Sequence, residues 1–277
     1  MRNIRMSDEF TFGGCNPSDC ASCGAGCNSA EEHKTITLTM EDDTEVECAV
    51  LTVFPVDAKE YIALLPLDEN GQNESGEVYL YTFARTENGD PMLSNIESDE
   101  EYAKAAVAAC LDDNEGCCLK HFPGYGNSAD THNGIAVDNR SAEQIRNVDM
   151  LPFEAGVKAG APAVLVSHSI VSAFDPDLPA SLSPAIHEIL RDELDFDGVI
   201  ITDDLSMGAI AEFSPDRDCA VAAILAGNDM LCTGDFAEQC KSVTEAVRNG
   251  TITEKRLDNS VRRILKWKMD LELIRTE

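Results

Sequence analysis

Hydrophobic and polar residues alternate through the first third of the chain. Four such stretches are joined by short polar turns, and they cover residues 36–40, 46–54, 61–67 and 78–83. Strands that follow each other this closely are typical of an antiparallel meander. An Ala-rich helix comes next, with Ser98 and Glu101 at the spacing of a capping box. We therefore predict a small antiparallel β (α+β) domain with a C-terminal helix over residues 35–115, after a flexible Cys-containing tail over residues 1–34.

The pattern changes at Cys117. Four short apolar runs follow, and segments with helical periodicity separate them; the runs cover residues 117–122, 163–168, 198–204 and 228–234. They are continuous rather than alternating, which is typical of parallel strands that helices cover on both faces. We predict an α/β domain over residues 116–277.

Composition narrows the classes of function. The 277 residues include 21 basic and 51 acidic side chains, which gives a formal charge of −30. A surface this negative repels phosphate backbones and anionic lipids, so we expect binding neither to nucleic acid nor to a membrane. The N-terminal residues contain no apolar run like that of a secretory signal, and without one the eleven cysteines are expected to be reduced thiols. These features favour a cytoplasmic protein.

Each apolar run of the second domain ends in polar or reactive side chains. They are Lys120 with His121, Ser167 with His168, Thr202 with Asp203 and Asp204, and Thr233. The carboxyl ends of parallel strands open onto one face, where α/β proteins bind their ligands. This combination predicts a polar pocket at that face. By residue type alone, Asp203 or Asp204 fits the N-cap of the next helix equally well.

The order and spacing of five motifs resemble glycoside hydrolase family 3, and in particular its bacterial β-N-acetylhexosaminidase branch. The motifs are KHFPGYGNSADTH (120–132), VLVSH (164–168), DLPASLSP (177–184), LRDELDFDGVIITDDLSMGAI (190–210) and LAGNDML (225–231). The resemblance implies a (β/α)₈ barrel and retaining hydrolysis of terminal β-linked N-acetylglucosamine from a saccharide or muropeptide. No cofactor is expected for this reaction.

The resemblance also implies roles for individual residues. Asp203 matches the nucleophile that forms a covalent glycosyl-enzyme intermediate, His132 matches the general acid/base, and Asp130 matches the partner of that histidine. A retaining glycosidase needs one ionised group that attacks and a second group that protonates the leaving oxygen. A histidine titrates near neutral pH and so has a proton to give. Three further residues are expected to bind the sugar: Lys120, His121 and His168.

Only the last four βα units of such a barrel have a counterpart in the sequence. A complete barrel takes about 250 residues, and we find no match to the family's first four strands, which carry sugar-binding aspartate and arginine residues. We therefore expect a partial TIM-type barrel. Three outcomes stay open for it: a second copy of the chain or a companion chain completes the barrel, the segment is a degraded remnant or a frameshifted fusion, or it folds as an open sheet. Two other functions stay open: a catalytically inactive remnant that serves as an acidic binding or assembly module, and another family 3 β-glycosidase.

The N-terminal region adds two expectations. Over about residues 36–112 it resembles a small acidic domain of unknown function from gram-positive bacteria. Four closely spaced thiols precede it, and such a group can bind zinc or an iron–sulfur cluster; they are Cys15, Cys20, Cys23 and Cys27. A reduced tail without metal is the alternative, because the spacing is not that of a paired zinc knuckle.

Overall fold

The computed structural model describes residues 4–6, 34–40, 42–73, 75–86, 88–112, 114–126, 134–213 and 218–275. The chain divides into two units, Met1–Ile96 and Glu97–Glu277. This division differs from our predicted boundary at residue 115, because helix α1 (Asp99–Asp112) belongs to the second unit. The helix packs there on α3 (Met150–Lys158), and its residues Ala105 and Val107 are buried.

The first unit contains a six-stranded antiparallel sheet in sequential order, as the alternating pattern predicted. Its strands are β1 (Ile4–Met6), β2 (Thr35–Thr39), β3 (Glu45–Val56), β4 (Lys59–Pro66), β5 (Tyr79–Arg85) and β6 (Pro91–Ser94). Side chains that include Leu38, Leu64 and Phe83 form its buried core. The sequence predicted β2 to β5 but missed β1 and β6, because three or four residues are too few for an alternation to be recognised.

The second unit is built on a four-stranded parallel sheet. Its strands lie in the order β7 (Cys118–Phe122), β9 (Ala163–Val166), β11 (Val199–Asp204) and β12 (Met230–Cys232). These are the four predicted strands, and the predicted α/β class is confirmed. Two-residue strands β8 (Val137–Asp138) and β10 (Ile170–Val171) form a separate parallel pair that the sequence did not reveal.

Helices lie between the parallel strands and also follow the last of them, β12. They are α2 (Ala142–Gln144), α3, α4 (Pro184–Glu188), α5 (Gly208–Phe213), α6 (Cys219–Ala226), α7 (Phe236–Arg248) and α8 (Glu254–Asp270). A π-helical turn, Ile145–Asp149, joins α2 to α3, and another, Ile189–Glu193, extends α4. Local sequence sets where several helices begin, since their N-cap side chains accept bonds from free backbone N–H groups. Ser141 does so in a capping box with Gln144, and Ser183 does so ahead of Pro184.

The parallel sheet has two different faces. Val164, Val166 and Ile200 lie in the core that the sheet shares with Phe153 and Leu190 of the helical layer. Side chains alternate between faces along a strand. The intervening residues therefore lie on the opposite face, where Ile201 is in register with Leu165 and with Met230, and these three side chains are only half-buried.

One buried carboxylate joins the sheet to the last helix. Asp229, just before β12, accepts hydrogen bonds from the backbone N–H of Ile200 (3.1 Å) and from the hydroxyl of Ser260 on α8 (2.5 Å). Its side chain is 0% exposed and forms a 2.6 Å ion pair with Arg191. Two arginines of α8, Arg256 and Arg263, approach it at 3.6 Å and 3.4 Å. Asp229 therefore fixes β11, β12 and α8 together.

We predict that Asp229→Asn destabilises the second unit by about 3–5 kcal/mol, because the substitution leaves buried arginine charge without its partner. Urea unfolding followed by the fluorescence of Trp267, the single tryptophan, measures this. Asp197→Asn is the matched control, since Asp197 also pairs with Arg263 but its side chain is 93% exposed. A loss of stability no larger than that of the control would contradict the role of Asp229.

Candidate active site

A β-bulge near the carboxyl end of β7 brings two neighbouring residues to one cavity. The register with β9 shifts between Leu119 and Phe122, so Lys120 and His121 together face a single residue of β9. Such a bulge redirects side chains that would otherwise point to opposite faces. Lys120 and His121 accordingly both line a cavity of about 350 Å³, together with residues that include Tyr125.

A second bulge lies at the end of β11, where the register with β12 shifts between Ile201 and Asp204. Asp203 lies in this shift, and its Oδ2 is 3.8 Å from Nε2 of His121. Its other oxygen, Oδ1, accepts a hydrogen bond from the N–H of Asp204 (2.9 Å). The Asp203 side chain remains 19% exposed, so its carboxylate is accessible beside the imidazole.

Neither aspartate is the N-cap of α5, which begins at Gly208, but Asp204 has a structural role in the turn ahead of that helix. Its Oδ1 accepts bonds from the N–H of Ser206 (2.9 Å) and from the Ser206 hydroxyl, which closes the turn before α5. These bonds from Ser206 hold the pKa of Asp204 below its ordinary value. Of the two aspartates that the sequence left as alternatives, Asp204 is the structural one and Asp203 faces His121.

The buried side chain of His168 supports the carboxyl end of β11. The side chain is fully buried, its Nδ1 lies 2.7 Å from the Ser181 hydroxyl and its Nε2 lies 3.0 Å from the carbonyl oxygen of Asp204. A carbonyl only accepts, so Nε2 carries the proton and Nδ1 accepts from Ser181. Burial lowers the pKa of His168, so the ring is neutral. The direct sugar contact that we predicted for His168 does not fit this burial, since both ring nitrogens bind protein atoms.

The sequence analysis missed an ion cluster beside the cavity. Arg140 binds the carboxylate of Asp138 on β8 and also the carboxylate of Asp149 at the start of α3, each at 2.7 Å at the closest. The Asp138 and Asp149 side chains are 7% and 9% exposed. The signal was present in the sequence as an Asp-Asn-Arg run ahead of the Ser141 capping box, but nothing local showed which carboxylates Arg140 would bind.

A thiol lies near the two aspartates at the end of β11. Burial, followed by the negative charges of Asp204 and Asp203, raises the pKa of Cys232 at the end of β12. The bulge itself is held by the hydroxyl of Thr202, which accepts a hydrogen bond from the N–H of Cys232 (3.0 Å). The rim around Asp203 is therefore formed by three strands of the sheet, because His121 comes from β7 and Cys232 from β12.

The structure thus places Lys120 and His121 at one cavity and Asp203 beside His121. Asp130 and His132 lie outside the described residues, as do Cys15, Cys20, Cys23 and Cys27. A zinc or iron–sulfur site at those cysteines stays a prediction.

Within the described ranges, no three His, Cys, Asp or Glu side chains are placed to hold a metal ion. No helix in the same ranges is long and apolar enough to cross a bilayer.

Two family models match the chain. Residues 93–267 match the glycosyl hydrolase family 3 N terminal domain, and residues 41–110 match a protein family of unknown function, DUF1292. The second match covers most of the region that resembles a small acidic domain of unknown function.

Among similar proteins, a β-hexosaminidase of Stenotrophomonas maltophilia (strain K279a) is 47% identical over 93 residues, which are 33% of this chain and 28% of the relative. A β-hexosaminidase of Xylella fastidiosa (strain M23) is 35% identical over 154 residues, 54% of this chain and 46% of the relative. The chain therefore spans less than half the length of both relatives.

A solved structure shows the same relationship. The family 3 β-N-acetylglucosaminidase of Paenibacillus sp. str. FPU-7 superimposes with a TM-score of 0.59 at 32% sequence identity. The superposition covers 63% of this chain and 34% of that enzyme.

We predict that the free energy of unfolding decreases as the pH falls below about 6.5, the ordinary pKa of a histidine. Burial lowers the pKa of His168 and also that of His187, so the unfolded chain takes up protons before the folded one does. The stability that depends on the neutral rings is present above this pH and is lost below it. In His168→Gln the decrease between about pH 7 and pH 5 should be smaller in urea titrations. An unchanged pH dependence would contradict the assignment.

Proposed function

Because the chain belongs to glycosyl hydrolase family 3, we propose that its second unit carries the catalytic site of a retaining β-N-acetylhexosaminidase. The observation that carries this proposal is the pair of Asp203 and His121, with 3.8 Å between the carboxylate and imidazole atoms at the carboxyl edge of a parallel sheet. Lys120 lines the same cavity as His121. The substrate class we infer is a saccharide or muropeptide that ends in β-linked N-acetylglucosamine.

In this mechanism Asp203 is the nucleophile. An Asp203 carboxylate oxygen attacks the anomeric carbon, the glycosidic C–O bond breaks, and a general acid protonates the leaving oxygen. The N–H of Asp204 and the imidazole of His121 orient the carboxylate for this attack. We assign the general acid to His132, with Asp130 as its partner. Water then attacks the glycosyl-Asp203 ester, His132 removes its proton, and the sugar leaves with its configuration retained.

Lys120 and His121 have a binding role in this proposal. Sugar hydroxyls both donate and accept hydrogen bonds, and an ammonium group beside an imidazole supplies the donors. The bulge in β7 supports this assignment because it directs both side chains into one cavity. Side chains and water supply every proton and nucleophile of the reaction, so we propose that hydrolysis uses no cofactor.

We also propose that the parallel sheet is one part of a (β/α)₈ barrel, which a second copy of the chain or a companion chain completes. The sequential order β7, β9, β11, β12 is that of consecutive βα units. The half-buried apolar side chains of Leu165, Ile201 and Met230 lie on the face opposite the helical core, where the interior of a barrel would be packed. Further strands would cover this face and add the rest of the sugar pocket.

We predict that an activated 5-fluoro N-acetylglucosaminyl fluoride labels Asp203 of the assembled protein, because attack on the anomeric carbon expels fluoride and leaves a trapped ester. Mass spectrometry of peptides locates the adduct. Asp203→Asn should lose both labelling and turnover of an aryl N-acetylglucosaminide, whereas Asp235→Asn, an exposed aspartate ahead of α7, should keep them. An adduct on another residue, or labelling that survives in Asp203→Asn, would falsify the assignment. Complete absence of labelling under all conditions would favour an inactive binding module.

The isolated chain should have weak or no turnover, because part of the substrate pocket comes from elsewhere. Light scattering should detect a species heavier than the 30.0 kDa chain whenever activity is present. Adding a fragment with the first four βα units of a family 3 relative should increase turnover. Full activity of a monodisperse 30.0 kDa species, abolished in Asp203→Asn, would rule out the need for further strands.

A further inference from the structure

The guanidinium of Arg140 is held by two carboxylates from different elements. Nε and Nη2 donate to Asp138 at 3.1 Å and 2.7 Å, while Nη1 and Nη2 donate to Asp149 at 2.7 Å and 3.0 Å. Paired N–H···O bonds of this kind fix orientation as well as distance. The bonds from Arg140 also lower the pKa of Asp138, so this carboxylate is charged at neutral pH. Arg140 is therefore fixed between β8 and the start of α3.

The turn after β7 lies directly on this cluster. Gly124 and Gly126 both have positive φ angles, 125° and 51°. A Cβ added to Gly124 would lie 2.4 Å from Cβ of Asp149, and one added to Gly126 would lie 2.3 Å from Nη2 of Arg140. Such distances leave no room for a side chain. The backbone of this turn is therefore in contact with Arg140 and Asp149 themselves.

The same turn is connected to the candidate nucleophile through two aromatic rings. Tyr125 lies between the two glycines, and its ring is 5.2 Å from the ring of His121 at an angle of 59°. The N–H of Gly124 donates to the carbonyl oxygen of His121 (2.9 Å), which closes the turn. His121 in turn lies 3.8 Å from Asp203. A displacement of the turn would thus move His121 relative to the carboxylate.

We propose that Arg140, together with Asp138 and Asp149, is a positioning unit that sets the location of His121 beside Asp203. This inference rests on the proposed glycosidase function. Asp149 lines the cavity together with Lys120 and His121, whereas Arg140 and Asp138 do not. Arg140 acts through the Gly124–Gly126 turn and Tyr125. Substrate alignment is sensitive to small errors, and a shift of about 1 Å can reduce a rate about 100-fold.

A nearby arginine provides the matched control. Arg146 forms a similar two-bond pair with Glu193, at 2.8 Å and 3.1 Å, but both side chains are well exposed, at 39% and 46%. It also lies over the ring of Phe174 rather than against the turn. Arg146→Lys therefore removes an arginine–carboxylate pair from the same part of the fold without touching the turn.

The experiment compares Arg140→Lys with Arg146→Lys in the full chain. Lysine keeps the positive charge but cannot bind two carboxylates through paired bonds. With only five histidines in the chain, ¹⁵N-histidine labelling resolves the ring signals, and His121→Gln assigns that of His121. In Arg140→Lys we expect the His121 ring signals to shift and the rate of fluorosugar labelling at Asp203 to fall by about 10- to 100-fold. Arg146→Lys should match the wild type in both measurements.

A purely structural role for Arg140 would lower the thermal midpoint but leave the His121 signals and the labelling rate unchanged well below the transition, and that result would overturn the proposal. If Arg140→Lys does not fold, Asp138→Asn takes its place, since Asp138 does not line the cavity and the substitution preserves the shape of the side chain and the Asp149–Arg140 pair. The two hypotheses remain separable. His121 signals that shift in a protein that does not react with the fluorosugar even after the first four βα units of a family 3 relative have been added support the positioning unit and refute the proposed function.

Discussion

The parallel sheet of the second unit depends on one buried carboxylate. Asp229 binds the backbone of β11 through the N–H of Ile200, and it binds α8 through Ser260. Three arginines surround it, so its charge is compensated although its side chain is fully buried. A buried charge with several partners has few alternative arrangements of similar energy. This contact fixes β11 and β12 at their amino ends, and the positions of Asp203 and Cys232 at the opposite ends follow from it.

The candidate chemistry depends on departures from regular strand geometry. Regular strands would send Lys120 and His121 to opposite faces of the sheet, and the bulge in β7 brings both to the same cavity. Asp203 lies in a second bulge and beside His121, while neutral His168 holds the carbonyl of Asp204 from the buried side. Asp204 and His168 therefore support the backbone, whereas the side chains of Asp203 and His121 stay partly exposed.

The chain joins two units of different character. The first is an antiparallel sheet with its own core and matches a family of unknown function. The second matches family 3 glycosidases but spans less than half the length of the two curated relatives described above. Leu165, Ile201 and Met230 form a half-buried apolar stripe on the face opposite the helical core. In the barrel that we propose, additional strands would cover this stripe and complete the pocket.

The sequence by itself determined the strand types, the order of the βα units and the strand end that carries the two aspartates, because hydrophobic period and motif spacing are local properties. It grouped helix α1 with the antiparallel strands, whereas the contacts of the helix group it with the second unit, since an Ala-rich helix carries no record of which core covers it. It could not decide between Asp203 and Asp204, because both are aspartates at a strand end and only hydrogen-bond partners distinguish them. The sequence also led to the prediction that His168 binds the sugar, and it did not reveal the ion cluster around Arg140. Burial and long-range ion pairs are set by contacts between distant segments, and these only the tertiary structure decided.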